Sequence, residues 1–186
     1  MNARQSEPVD QIRLPDASVR IDSMPPEGRA ISLAPDGAIR AALAGALGVK
    51  AVERLAVELR ATRFRGGMRV QGRLAADIVQ PCVVTLEPVR QAIDEPIDRV
   101  FLPADDKAVA RPADDEVFVD VEGEDLPDTF EGHEADLSDM IVETLALAID
   151  PYPRAPGASL EGIGLPQDEP EPSPFARLQA LRDRKD

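Results

Sequence analysis

Residues 52–78 read VERLAVELRATRFRGGMRVQGRLAADI, and the fold turns on how this stretch is read. Up to Arg63 the apolar positions are Leu55, Val57, Leu59 and Ala61, with Glu58, Arg60 and Thr62 opposite. After Arg65-Gly66-Gly67, the apolar Met68, Val70, Leu74, Ala76 and Ile78 alternate with Arg69, Gln71, Arg73 and Asp77. A period of two places successive side chains on opposite faces of a strand, so each run has a dry face and a wet face. Glycine takes up positive φ without a Cβ clash, which makes 65–67 a turn. The expectation is an antiparallel hairpin.

Working outward, residues 89–102 read as a third long strand, with Ile93, Ile97 and Phe101 on one face. Pro96 has no N–H to give to a ladder, so it demotes this strand to an edge or breaks it. Upstream lie two short alternating runs, 18–22 (Val19, Ile21) and 29–33 (Ile31, Leu33), separated by a Pro-Pro-Glu-Gly turn. Pro35-Asp36 starts a helix in which Ile39, Ala42, Leu43, Ala46 and Leu47 recur at helical spacing, and Gly48 ends it.

Downstream, 103–116 and 122–134 are acidic stretches with too little apolar surface to order themselves, and 117–119 between them is a short strand. Residues 137–149 carry a broad stripe of Leu137, Met140, Ile141, Leu145, Ala148 and Ile149, capped by Asp136 with Asp139 in the first turn. Asp150-Pro151 ends this helix. Together these elements predict an α+β fold: an antiparallel sheet of five to six strands, open or barrel-like, with two packed helices. The expected organisation is a flexible arm over 1–16, one domain over 17–150 and a Pro-rich acidic linker over 151–172. A short helix follows over 173–186, where Phe175, Leu178 and Leu181 would dock in a groove of this chain or of a partner.

Composition narrows the function. The chain of 186 residues is long enough for one domain with a real core. Five Phe, one Tyr and no Trp leave that core to Leu, Val, Ile and Ala. A single cysteine excludes an intramolecular disulfide and fits a reducing compartment. The polar N-terminus, with Arg4, Glu7 and Asp10, does not read as a signal peptide, and no run approaches the roughly 18 apolar residues of a membrane span. The expectation is a cytoplasmic protein, monomeric and away from the membrane.

The net charge of −14 is unevenly spread. Residues 1–100 hold 14 basic and 13 acidic side chains, whereas 101–172 hold 3 and 20. The balanced front is the folded part, and the excess acid belongs to loops and tail.

No motif for nucleophilic catalysis or phosphate cradling occurs, and the single His133 sits in the acidic run Glu-Gly-His-Glu. Asp105, Asp106, Asp114, Asp115 and Glu116 read as solvated acid, and the glycine of 120–124 is misplaced for a calcium loop. One cysteine and one distant histidine cannot supply four zinc ligands. The expectation is therefore no enzyme, no metal and no cofactor. More suggestive are Arg60, Arg63, Arg65, Arg69 and Arg73, which occur with no acid among them at and beside the tip of the hairpin. Guanidiniums on a rigid ribbon suit bidentate contact with RNA phosphates, although a solvated face paired with Glu58, Asp77 or the distant acidic loops is an equal reading. The shortage of aromatics directs any RNA contact to backbone and shape.

Three ordered blocks of residues carry a resemblance. The first holds Gly72, Leu74, Ala75, Gln80, Cys82, Thr85, Leu86, Glu87, Pro88 and Val89. The second is Asp136-Leu137 with the helix through Val142 to Ala148 and then Pro151, Tyr152 and Pro153. The third is Ser173-Pro174-Phe175-Ala176 with Leu178 and Leu181. In these blocks the chain resembles the YceD family of bacterial ribosome-biogenesis proteins, and looks like its alphaproteobacterial branch. Many relatives have a second cysteine where Thr85 stands, so no metal site of cysteine-rich relatives transfers. The resemblance implies a non-enzymatic role in 23S rRNA accumulation or processing and in large-subunit assembly, with 23S rRNA or the pre-ribosomal large subunit as partner. The alternative is an acidic adaptor or chaperone for a basic ribosomal protein.

Overall fold

The computed structural model describes residues 12–104 and 126–159. Its elements run β1 (Ser18–Arg20), β2 (Arg29–Leu33), α1 (Gly37–Ala46), β3 (Ala51–Phe64), β4 (Gly67–Pro81) and β5 (Pro88–Pro103). After residues 105–125, which lie outside the described part, come β6 (Asp128–Phe130), β7 (Glu134–Asp136) and α2 (Ser138–Ala148). Five strands form one sheet in the order β2-β3-β4-β5-β6, antiparallel except for the parallel β5–β6 pair. A separate antiparallel ribbon joins β1 to β7.

The expected α+β class holds, but the sheet is open and the barrel-like alternative is not realised. Its outer strands β2 and β6 have only 5 and 3 residues and do not pair with each other. Closure needs a continuous staggered ladder, which strands this short cannot supply.

The hairpin forms as read. Phe64 pairs with Gly67 across a two-residue turn in which Arg65 (φ 47) and Gly66 (φ 82) are both left-handed. This is the turn whose twist matches that of the strands it joins. Leu55, Val57, Leu59 and Ala61 of β3, and Met68, Val70, Leu74, Ala76 and Ile78 of β4, are all buried. A bulge at 52–54 resets the alternation, so Val52 and Leu55 both point inward although three residues separate them. The dry face packs in one core with Leu43 of α1 and Met140, Ile141 and Leu145 of α2. Pro96 pairs with Arg73 on one side, and along that part of β5 no described strand lies on the other. Proline is tolerated because this stretch is an edge.

Both helix starts involve aspartate. Asp36 Oδ1 accepts the N–H groups of Ala38 and Ile39 at 2.9 and 3.0 Å, the arrangement of an N-cap. Asp136 acts one residue earlier than an N-cap would, accepting from Ser138 N at 2.8 Å, while Leu137 occupies the cap position.

Three expected boundaries move. The arm assigned to 1–16 is packed from residue 12 onward, with Ile12 and Leu14 buried and Leu14 N donating to Ser138 Oγ at 2.9 Å. Isolated apolar residues between prolines and charges show no period, so only a partner helix reveals their burial. The acidic stretch 122–134 is ordered from residue 126, because Phe130 inserts into the core and β6 adds to the end of β5. Residues 153–155, assigned to the linker over 151–172, are packed instead. Pro153 is buried, its carbonyl accepts from Val83 N at 2.9 Å, and Ala155 N reaches Cys82 Sγ at 3.3 Å. A compact unit extends to Ala155 and a second begins at Pro156. The strand expected at 117–119 and the helix carrying Phe175, Leu178 and Leu181 lie outside the described residues.

Candidate functional site

The wet face of the large sheet carries Arg54, Glu58 and Arg60 from β3, Arg69, Gln71, Arg73 and Asp77 from β4, and Asp94 and Asp98 from β5. Register fixes their neighbours: Arg60 lies opposite Gln71 and Arg73 opposite Glu58. The hairpin arginines therefore do not form one set. Arg60, Arg69 and Arg73 share this face. Arg63, on the opposite phase of β3, curls over the rim and donates to the carbonyls of Met24 (3.0 Å) and Asp22 (3.2 Å). Arg65 occupies the turn with its guanidinium 5.0 Å from the Phe64 ring centroid, a cation–π contact.

The counter-charges of Arg69 and Arg73 come from strand β5. Arg69 makes a two-pronged contact with Asp98, at 2.7 and 2.6 Å, and Gln71 donates to the same carboxylate at 3.0 Å. The Arg69 bond holds the Asp98 carboxyl below the usual carboxylate range, partly opposed by burial and assisted by Gln71. Arg73 pairs with Asp94, and Arg54 with Asp77 at 2.6 Å. Arg60 donates to the carbonyl of Glu27 at 2.9 Å. Asp94 and Asp98 have alternation within β5 as their only sequence signal; which arginines they meet depends on the register between strands. Ion pairs this exposed contribute about 0–1 kcal/mol each, so a phosphate can compete for the guanidiniums.

The other end of β4 carries the block centred on Cys82. This residue is 0% exposed, and its Sγ accepts N–H bonds from Val84 (3.4 Å), Thr85 (3.4 Å) and Ala155 (3.3 Å). Thr85 thus faces the sulfur and stabilises it. The side-chain bond from Thr85, then the backbone N–H groups of Ala155, Thr85 and Val84, lower the thiol pKa from 9.0 to about 6, while burial works in the opposite direction. The turn is closed by Cys82 N to Glu87 O (2.7 Å) and Leu86 N to Cys82 O (3.0 Å). Thr85 Oγ1 and Glu87 interact at 3.4 Å, and Pro88 opens β5 opposite Pro81. His133 is exposed in the turn between β6 and β7, where its carbonyl accepts from Ile21 N. Among the described residues no three His, Cys, Asp or Glu side chains gather as a metal site, and no helix is long and apolar enough to cross a membrane.

These features define an α+β domain with an open sheet that presents a charged face and, at one end, a turn built around a buried thiol. Residues 70–182 match the family described as "Large ribosomal RNA subunit accumulation protein YceD", and the chain belongs to that family. No curated protein and no solved structure matches it significantly.

Proposed function

We propose that this protein is a cytoplasmic, non-enzymatic assembly factor that promotes 23S rRNA accumulation or processing and large-subunit assembly. The family match carries this reading. The sheet supports it chemically: Arg60, Arg69 and Arg73 stand on one face and Arg65 at its tip, where guanidiniums can meet phosphates. RNA would displace Asp94 and Asp98 from their arginines, exchanging weak exposed pairs for phosphate contacts that release counterions.

The test is filter binding of the full chain to 23S rRNA fragments over a salt series, together with ribosome profiles of a deletion strain. Replacing Arg60, Arg65, Arg69 and Arg73 by Ala should weaken binding and reduce the salt slope by roughly one for each phosphate no longer neutralised. Normal subunit ratios with no RNA binding at low salt would overturn the reading.

The pairing of Arg69 and Arg73 with β5 acids favours a second reading, in which this face is largely neutral and the protein is an acidic adaptor for a basic ribosomal protein. Retention of such a protein by the four-alanine variant would select that alternative.

A further inference from the structure

Strand β5 presents a bare backbone edge beside α2. The Ala104 N–H donates outward to Phe130 O at 3.0 Å, and the register of β4 against β5 is unbroken over 88–101. Backbone groups alternate in direction along a strand, so the N–H and C=O groups of Ala92, Asp94 and Asp98 face this same outer side. Pro96 belongs to that set, so its missing N–H costs the sheet no bond and removes one outward donor instead. β6 covers the edge beside 101–103, and among the described strands none pairs with it over 88–100.

Between this edge at 95–99 and the side of α2 that carries Thr144, Leu147 and Ala148 runs one groove of about 430 Å³. Leu147 lines it and is 75% exposed. The border is mostly acidic. Glu95 lines the groove and Glu143 adjoins Thr144, with Arg99 as counter-charge, its Nη2 4.0 Å from Glu143 Oε1. Asp98 also lines it but is held by Arg69. Where β6 begins, Asp128 lies close enough to Arg99 and Glu143 for both to act on its carboxyl, and its Oδ2 is buried with no hydrogen-bond partner.

We infer that this groove takes an extended, basic segment of a partner protein, added to the outer edge of β5 as a further strand. A row of outward backbone groups is matched by another extended backbone. Alternation in the incoming segment would lay an apolar side chain on Leu147 and bring cations to Glu95, Glu143 and the unpartnered oxygen of Asp128. A second copy of the chain fits poorly. Two-fold pairing centred on Asp94, Glu95 or Pro96 sets Asp94 against Asp94, Glu95 against Glu95 or Asp94 against Asp98, and like charges directly opposite oppose pairing. Nucleic acid has no strand to add, and the acidic border repels its phosphates. Such a strand would bind whether or not the arginine face meets RNA.

The full chain is titrated at low salt with a fluorescein-labelled peptide of four Lys-Val repeats, and backbone amide exchange is followed by NMR. The expected result is binding by anisotropy with slowed exchange at Ala92, Asp94 and Asp98. Neither the same peptide N-methylated at every residue nor one of four Glu-Val repeats should produce it. Glu95→Gln with Glu143→Gln should weaken the Lys-Val peptide about tenfold. Both carboxylates reach solvent, so this variant should melt with the parent, and the three peptides on the unaltered chain decide the matter without it. No binding, equal binding of the N-methylated peptide, slow exchange at these amides before peptide is added, or a second copy on the edge by sedimentation would each overturn the proposal.

Discussion

Cys82 shows how one atom can organise two segments far apart in sequence. Its sulfur collects N–H groups from Val84 and Thr85 within the turn and from Ala155, 73 residues away. Because the Thr85 bond is the largest influence lowering the thiol pKa to about 6, the thiolate should be detectable by ultraviolet absorbance well below pH 9.0, and Thr85→Val should raise the midpoint. The sign of the linkage follows. The folded pKa lies below the unfolded one, so the stabilisation is complete above about pH 9.0 and fades as pH falls toward 6. A native midpoint at or above the ordinary thiol value would show that burial outweighs the donors. The sequence marks Cys82 as small and unpaired; that its sulfur fastens residues 150–155 to the turn is visible only once the chain has folded back.

At the scale of elements, the hairpin was almost wholly legible because alternation on both strands and a glycine turn between them agree. At Gly72 the backbone of β3 leaves no room for a Cβ on β4. The glycine falls in phase with the buried residues of β4, and a Cβ there would lie 2.0 Å from the carbonyl oxygen of Glu58 and 2.8 Å from Leu59 Cα. Both atoms belong to backbone and cannot swing aside. Gly72→Ala should therefore destabilise the domain by about 2–4 kcal/mol in urea denaturation, and a change under about 0.5 kcal/mol would show that the strands separate freely. The short strands β6 and β7 were not legible. Asp-Thr-Phe and Glu-Ala-Asp carry no alternation long enough to register, and they are strands because β5 and β1 offer them partners. Isolated three-residue strands gain too little from their own sequence.

Across the whole molecule, charge is arranged more locally than its total suggests. The acid excess of −14 coexists with a sheet face on which arginines and acids are matched one to one at Arg69–Asp98 and Arg73–Asp94. If that face meets RNA, Asp94→Asn with Asp98→Asn should strengthen binding by about tenfold at low salt, since each exposed pair resists by up to about 1 kcal/mol and like-charge repulsion is also removed. Unchanged filter-binding affinity would place the RNA contact elsewhere or remove it.

The sequence by itself determined the α+β class, the hairpin, both helices and the membership that its ordered blocks declare, because period, capping and turn chemistry are local properties of neighbouring residues. It also supplied the arginines, without saying what they face. Only the tertiary structure decided that the sheet stays open, that Arg63 leaves the common face, that Asp94 and Asp98 oppose Arg73 and Arg69, and that residues 12–16 and 151–155 belong to the packed domain. Each of these depends on strand register or on segments far apart in the chain, and a contact between distant residues has no period to read.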